Sequence, residues 1–119
     1  MKLASSFNFG PDPAARQPVR RLVEEVLRGW PGEWVDGSDP NSLHEASLLT
    51  LSIEKASTLL GWNPSWDFQE AVARTVAWYR ERHERGSNGM LEFSGSQIDD
   101  YTAAAMRKGL AWADSFCPP

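Results

Sequence analysis

The sequence predicts an α+β fold that is mostly helical, with four helices and two or three short strands, in a single domain spanning residues 1–119. Three observations carry this. An apolar stripe recurs at helical spacing from Val19 to Trp30. Residues 52–81 read as a capped helix, a Gly stop, a Trp-Asn-Pro turn and a second capped helix. Short apolar runs elsewhere are bounded by Gly, Pro, Asn and Asp, the residues of turns.

The elements follow in chain order. Leu3 to Phe9 alternates and stops at Gly10-Pro11-Asp12-Pro13, which predicts a short strand running into a turn. Pro18 suits a first helical turn. Val19, Leu22, Val23, Val26, Leu27 and Trp30 then form one stripe, with Arg20, Arg21, Glu24, Glu25 and Arg28 expected on the outer face. Gly29 and Pro31-Gly32 end this helix. Glu33 to Asp36 is a candidate short strand, Gly37 to Ser42 is turn chemistry, and the second half of Leu43 to Ser52 is expected to be a buried strand.

Ser52 is placed to cap the next helix, whose apolar face is Ile53, Ala56, Leu59 and Leu60. Gly61 suits a left-handed stop, and Pro64 blocks continuation. Asp67 with Glu70 three residues on resembles a capping box. Phe68, Val72, Thr75, Val76 and Tyr79 share one face of the helix that follows. Residues 85–95 are expected to be a loop. Ser96 and Asp99 are expected to open a last helix over 96–113, with Ile98, Tyr101, Ala105 and Trp112 on one side, followed by a frayed tail over 114–119.

Composition narrows the classes. Hydrophobic residues make up 41% of the chain and charged residues 24%, as in ordinary globular proteins. The six Trp are expected as core and helix-packing anchors. A net charge of −4 with no basic cluster argues against nucleic-acid binding. The single cysteine, Cys117, forms no internal disulfide, which suits a reducing, cytoplasmic setting. Residues 1–10 hold no apolar run of signal-peptide length, and no window reaches the ~20 apolar residues of a membrane span.

Catalytic constellations are scarce. There is no glycine-rich phosphate loop and no Gly-x-Ser-x-Gly elbow. Neither Tyr79 nor Tyr101 has a Lys one helical turn on, so no activated tyrosine is expected. No metal site is predicted. His44-Glu45, after a turn-rich loop, is the one polar pair in a suggestive place, because His can donate to a phosphate and Glu can accept from sugar hydroxyls. On residue chemistry alone, satisfying loop backbone groups is the favoured reading of the pair. Asn8, between two Phe, either holds a strand end or touches a ligand. His83 lies in a charged helix end and reads as solvated. Asp99-Asp100 complements a helix dipole.

Several of these segments together resemble a known family. Phe7-Asn8-Phe9-Gly10-Pro11-Asp12, the helix Val19–Trp30, His44-Glu45-Ala46, Lys55-Ala56 with Leu60-Gly61-Trp62-Asn63-Pro64, and Thr75-Val76-Ala77-Trp78-Tyr79 are similar to the C-terminal part of CDP-glucose 4,6-dehydratases, which are extended short-chain dehydrogenase/reductases. The resemblance runs from about residue 4 to 84, with a weaker echo at Ser96–Tyr101. The Leu-Gly-Trp-x-Pro turn is shared by many sugar-nucleotide epimerases and dehydratases; the Asn-Phe-Gly-Pro-Asp, His-Glu-Ala and Thr-Val-x-Trp-Tyr combination points to the CDP-glucose branch.

The resemblance implies that this chain matches the nucleotide-sugar-binding lobe over 4–84 and lacks the NAD-binding Rossmann domain with its glycine fingerprint and Tyr-x-x-x-Lys pair. It therefore implies no cofactor in this chain, since NAD would belong to the missing domain. It implies that His44 and Glu45 face the substrate, and Asn8 joins them as a candidate substrate contact. Related epimerases often carry an Arg just before this segment for the diphosphate, and Asp39–Leu43 holds none. The expected function is a substrate-binding lobe, a fragment or split part of an NAD-dependent lyase that is inactive alone. The alternative is a non-catalytic interaction module derived from that lobe. The expected partners are a nucleotide-sugar, a separate Rossmann-domain chain, or a second copy, with neither nucleic acid nor membrane.

Overall fold

The structure, a computed structural model, describes residues 3–41 and 51–115. His44, Glu45 and most of the expected third strand lie outside the described residues, as does Cys117 with most of the tail.

Helices dominate the described residues. A 3₁₀ turn (Pro13–Ala15) precedes α1 (Val19–Gly29), α2 (Glu54–Leu60), α3 (Phe68–Arg85), α4 (Met90–Arg107) and the short α5 (Ala111–Asp114). Among the described residues no strand forms: Leu3–Phe9 bends at Ser5, whose N–H returns to the Leu3 carbonyl at 2.9 Å, and Glu33–Asp36 finds no ladder partner. The reason is tertiary. The N-terminal segment lies against α2 through side chains. Lys55 Nζ donates to the Ser6 carbonyl at 2.7 Å and sits 4.7 Å over the Phe7 ring. Phe9 meets Trp62 edge to face at 5.0 Å.

The caps follow the sequence in part. Asp67 caps α3, its carboxylate accepting the Glu70 N–H at 2.8 Å. The box is only half made, because the Glu70 carboxylate is taken by Arg74 at 2.7 Å. Gly61 ends α2 at φ 62°, the left-handed conformation that costs glycine least. Ser52 does not occupy the cap position of α2. That falls to Ile53, and Ser52 receives the Glu54 N–H only at 3.5 Å.

Two helices depart from their sequence reading. In α4, residues 90–95 are helical where a loop is expected, so the helix opens at Gly89 (φ 73°) rather than at Ser96. Ser96 instead returns its hydroxyl to the Phe93 carbonyl at 2.8 Å. The run Ser94-Gly95-Ser96 favours turns by propensity, but α3 holds it helical. Trp78 Nε1 donates to Ser94 Oγ at 2.9 Å, and Gln97 Nε2 donates to the Arg74 carbonyl at 2.8 Å. Ile98, expected inward, is exposed.

In α1 the outer and inner faces are partly exchanged. Glu25 is buried while Val19, at the start of the apolar stripe, is 75% exposed. The helix meets α3 through the edge carrying Gly29, where a β-carbon would stand 2.9 Å from Val76 Cγ1. Arg80 seals that edge by donating to the Gly29 carbonyl at 3.1 Å. Glu25 lies one turn before Gly29 on the same edge, which is why it is the residue that becomes buried.

Candidate functional site: an open apolar groove

The roll of α1 leaves its apolar stripe facing a groove rather than a filled core. The groove has a volume of about 1120 Å³. Leu22, Val26 and Trp30 of α1 form one wall, and Phe68, Val72 and Tyr79 of α3 form the other. Phe9-Gly10-Pro11-Asp12, Ala14 and Ala15 of the 3₁₀ turn, and Trp62, Pro64 and Trp66 complete its lining. The α3 face expected as core is thus a groove wall: Val72 and Val76 are buried, but Tyr79 is 60% exposed.

The lining is overwhelmingly apolar, with charge confined to Asp12, Asp67 and Lys108. Both carboxylates also serve the backbone, Asp12 accepting the Ala14 N–H at 2.8 Å and Asp67 that of Glu70. Among the described residues no ion pair engages Lys108.

A second, polar cleft of about 520 Å³ lies between the start of α3 and the end of α4. Arg74 organises it. Its guanidinium donates to Glu70 and to Asp100 and lies 5.1 Å over the Trp66 ring. The hydrogen bonds to Glu70, then to Asp100, push its pKa above the ordinary arginine value. An arginine so held is a strut between α3 and α4. Tyr101 joins the two sites: its ring meets Trp66 edge to face at 4.9 Å, and its hydroxyl accepts the Ser65 N–H at 3.3 Å.

Of the expected site residues, only Asn8 is described. It is exposed and directly precedes Phe9, the first residue along the chain that lines the groove. His83 is exposed too, with its ring 5.2 Å from Trp30. The six Trp split their roles. Trp62, Trp66, Trp78 and Trp112 are half-buried, whereas Trp30 and Trp34 are exposed. Among the described residues no cluster of His, Cys, Asp or Glu could hold a metal ion, and no helix is long and apolar enough to cross a membrane.

The groove itself had one signal in the sequence. The helices α1 and α3 each carry an apolar stripe of large side chains that calls for cover. Compared with family models, curated proteins and solved structures, the chain finds no match.

Proposed function

We propose that this chain is the substrate-side lobe of a nucleotide-sugar enzyme of the CDP-glucose 4,6-dehydratase kind, cytoplasmic, built to close against a separate dinucleotide-binding domain and inactive without it. The open groove carries the reading. It is an apolar cleft of about 1120 Å³ lined in part by Phe9-Gly10-Pro11-Asp12, part of the segment on which the family resemblance rests. Lys55, another residue of that resemblance, holds the segment in place through the Ser6 carbonyl. His44, Glu45 and Asn8 are the proposed substrate contacts. NAD would be held by the other domain.

The purified chain with NAD and CDP-glucose is expected to yield no 4-keto sugar, whereas calorimetric titration with CDP-glucose alone is expected to show binding that His44→Ala and Glu45→Ala weaken. Turnover by the chain alone overturns the first half of the proposal. Silence with CDP-, UDP- and dTDP-glucose alike overturns the second.

A second reading, a non-catalytic docking module, is favoured by the same groove's lack of polar groups. A site built for a sugar diphosphate is expected to be rich in donors, and this one is lined by aromatic and aliphatic side chains.

A further inference from the structure

We propose that the polar cleft between the start of α3 and the end of α4 binds a small zwitterion, a free amino acid, through its ammonium and its carboxylate together. The bonds from Trp78 to Ser94 and from Arg74 to Asp100 set the two helices antiparallel, which brings Asp67 and Glu70 to the same cleft as Arg107 and Lys108. On α4, Asp100, Ala103, Ala104 and Arg107 recur at helical spacing, so one face of the helix lines the cleft. The two alanines leave room between the charged ends of that face.

The lining charges cancel, Asp67, Glu70 and Asp100 against Arg74, Arg107 and Lys108. Their engagement differs. Arg74 already holds both Glu70 and Asp100. Asp67 accepts the Glu70 N–H but has no cation: among the described residues no ion pair engages Asp67, Arg107 or Lys108. One carboxylate and two cations therefore share a cleft of about 520 Å³ without pairing across it. A simple anion meets Asp67 as a like charge, and a simple cation meets Arg107 and Lys108, whereas a zwitterion suits both sides.

Ser65 is an independent pointer to a ligand. It is 5% exposed, it lines the cleft, and its Oγ has no hydrogen-bond partner. A buried hydroxyl left unpaired costs the folded chain free energy, which a further polar group brought into the cleft relieves. The Ser65 N–H is fixed by the Tyr101 hydroxyl at 3.3 Å, so the residue is held while its own hydroxyl stays unused. Ser65 Oγ, Arg107 and Lys108 take the carboxylate, Asp67 takes the ammonium, and Trp66 and Ala103 give apolar cover to the side chain of the bound amino acid.

NMR titration of the isotope-labelled chain tests this, with L-leucine, L-phenylalanine and L-alanine as probes. Isocaproate and isoamylamine, which are leucine without its ammonium and without its carboxylate, serve as controls. Trp66, Asp67 and Lys108 also line the apolar groove, so the diagnostic amides are those of Ser65, Ala104 and Arg107, which line the cleft and not the groove. The expected result is saturable shifts at these three amides with L-leucine, and a Kd at least ~10-fold weaker for either control. Asp67→Asn keeps the cap of α3 and Arg107→Gln alters an exposed side chain, so both variants are expected to fold and to bind L-leucine at least ~10-fold more weakly. Ser65→Ala is expected to weaken binding while leaving the thermal midpoint of the free chain unchanged or higher, a combination that a purely structural serine does not give. Silence with all three amino acids overturns the site. Isocaproate binding as tightly as L-leucine overturns the zwitterion, and full binding by Asp67→Asn or Arg107→Gln overturns the assigned contacts. A lower midpoint for Ser65→Ala shows that its hydroxyl is satisfied within the fold and overturns its role.

Discussion

Glu25 holds a buried position with incomplete compensation. Arg28 Nη1 lies 3.1 Å from its Oε2, yet that oxygen has no directed hydrogen bond; the better-aimed contact is the 3.4 Å bond to Oε1. The ion-pair distance and the missing bond are compatible, because charge attraction needs proximity and a hydrogen bond needs direction. Arg21, at 4.0 Å, adds little. A buried carboxylate held this loosely is worth no more than an apolar residue of the same volume. Glu25→Met is therefore expected to leave the urea midpoint unchanged or to raise it, by up to ~1 kcal/mol of stability. A clear loss of stability sinks that account.

Gly29 is the opposite case, a small residue with a large role. An added methyl must displace Val76 or part α1 from α3, so Gly29→Ala is expected to cost about 1–2 kcal/mol, the lower range for overpacking. Equilibrium unfolding measures it, and a neutral result places the α1–α3 contact elsewhere. The stripe of α1 was legible at this scale, but its roll was not. Periodicity says which residues share a face, and the choice of contacting edge depends on Val76, dozens of residues away.

At the scale of elements, α3 and α4 work as one pair. Their struts are Arg74 to Asp100, Trp78 to Ser94 and Gln97 to the Arg74 carbonyl. Asp67→Ala removes the cap of α3 and is expected to cost about 1 kcal/mol. Ser52→Ala is expected to cost far less, since its contact is long and the cap position is held by Ile53. Thermal melts of the two variants decide between them, and equal losses contradict the assignment. Arg74→Met keeps apolar cover over Trp66 while losing both ion pairs. Because Arg74 is one-third exposed, the loss is expected to stay within ~1 kcal/mol and to shrink in 1 M salt, where the Debye length is ~3 Å. Asp67 and Gly61 were readable because caps and left-handed stops are local chemistry. The first turn and a half of α4 was not, since its helicity depends on partners in α3 that no local window contains.

For the whole molecule, the decisive quantity is how little is enclosed. The radius of gyration is 17.4 Å, against about 13.5 Å for a compact domain of this length. Residues 31–41 contribute, running exposed throughout. Among the described residues no large side chain is fully buried, and the buried core is small: Ile53, Ala56, Val72, Val76, Met90 and three alanines. A chain with so small a core unfolds in a shallow transition, so the urea m-value is expected to fall below that of compact domains of equal length. Equilibrium unfolding in urea measures this, and an m-value equal to that of compact domains of the same length contradicts it.

The sequence by itself determined the mostly helical character, the positions of α1, α2 and α3, the cap at Asp67 and the stop at Gly61. Each depends on residues within one or two helical turns. Tertiary structure decided what lies beyond that reach: which edge of α1 packs, where α4 begins, that Arg74 is a strut, and that the apolar stripes of α1 and α3 line an open groove. Hydrophobic burial is non-directional, so a stripe encodes the need for cover without encoding what supplies it.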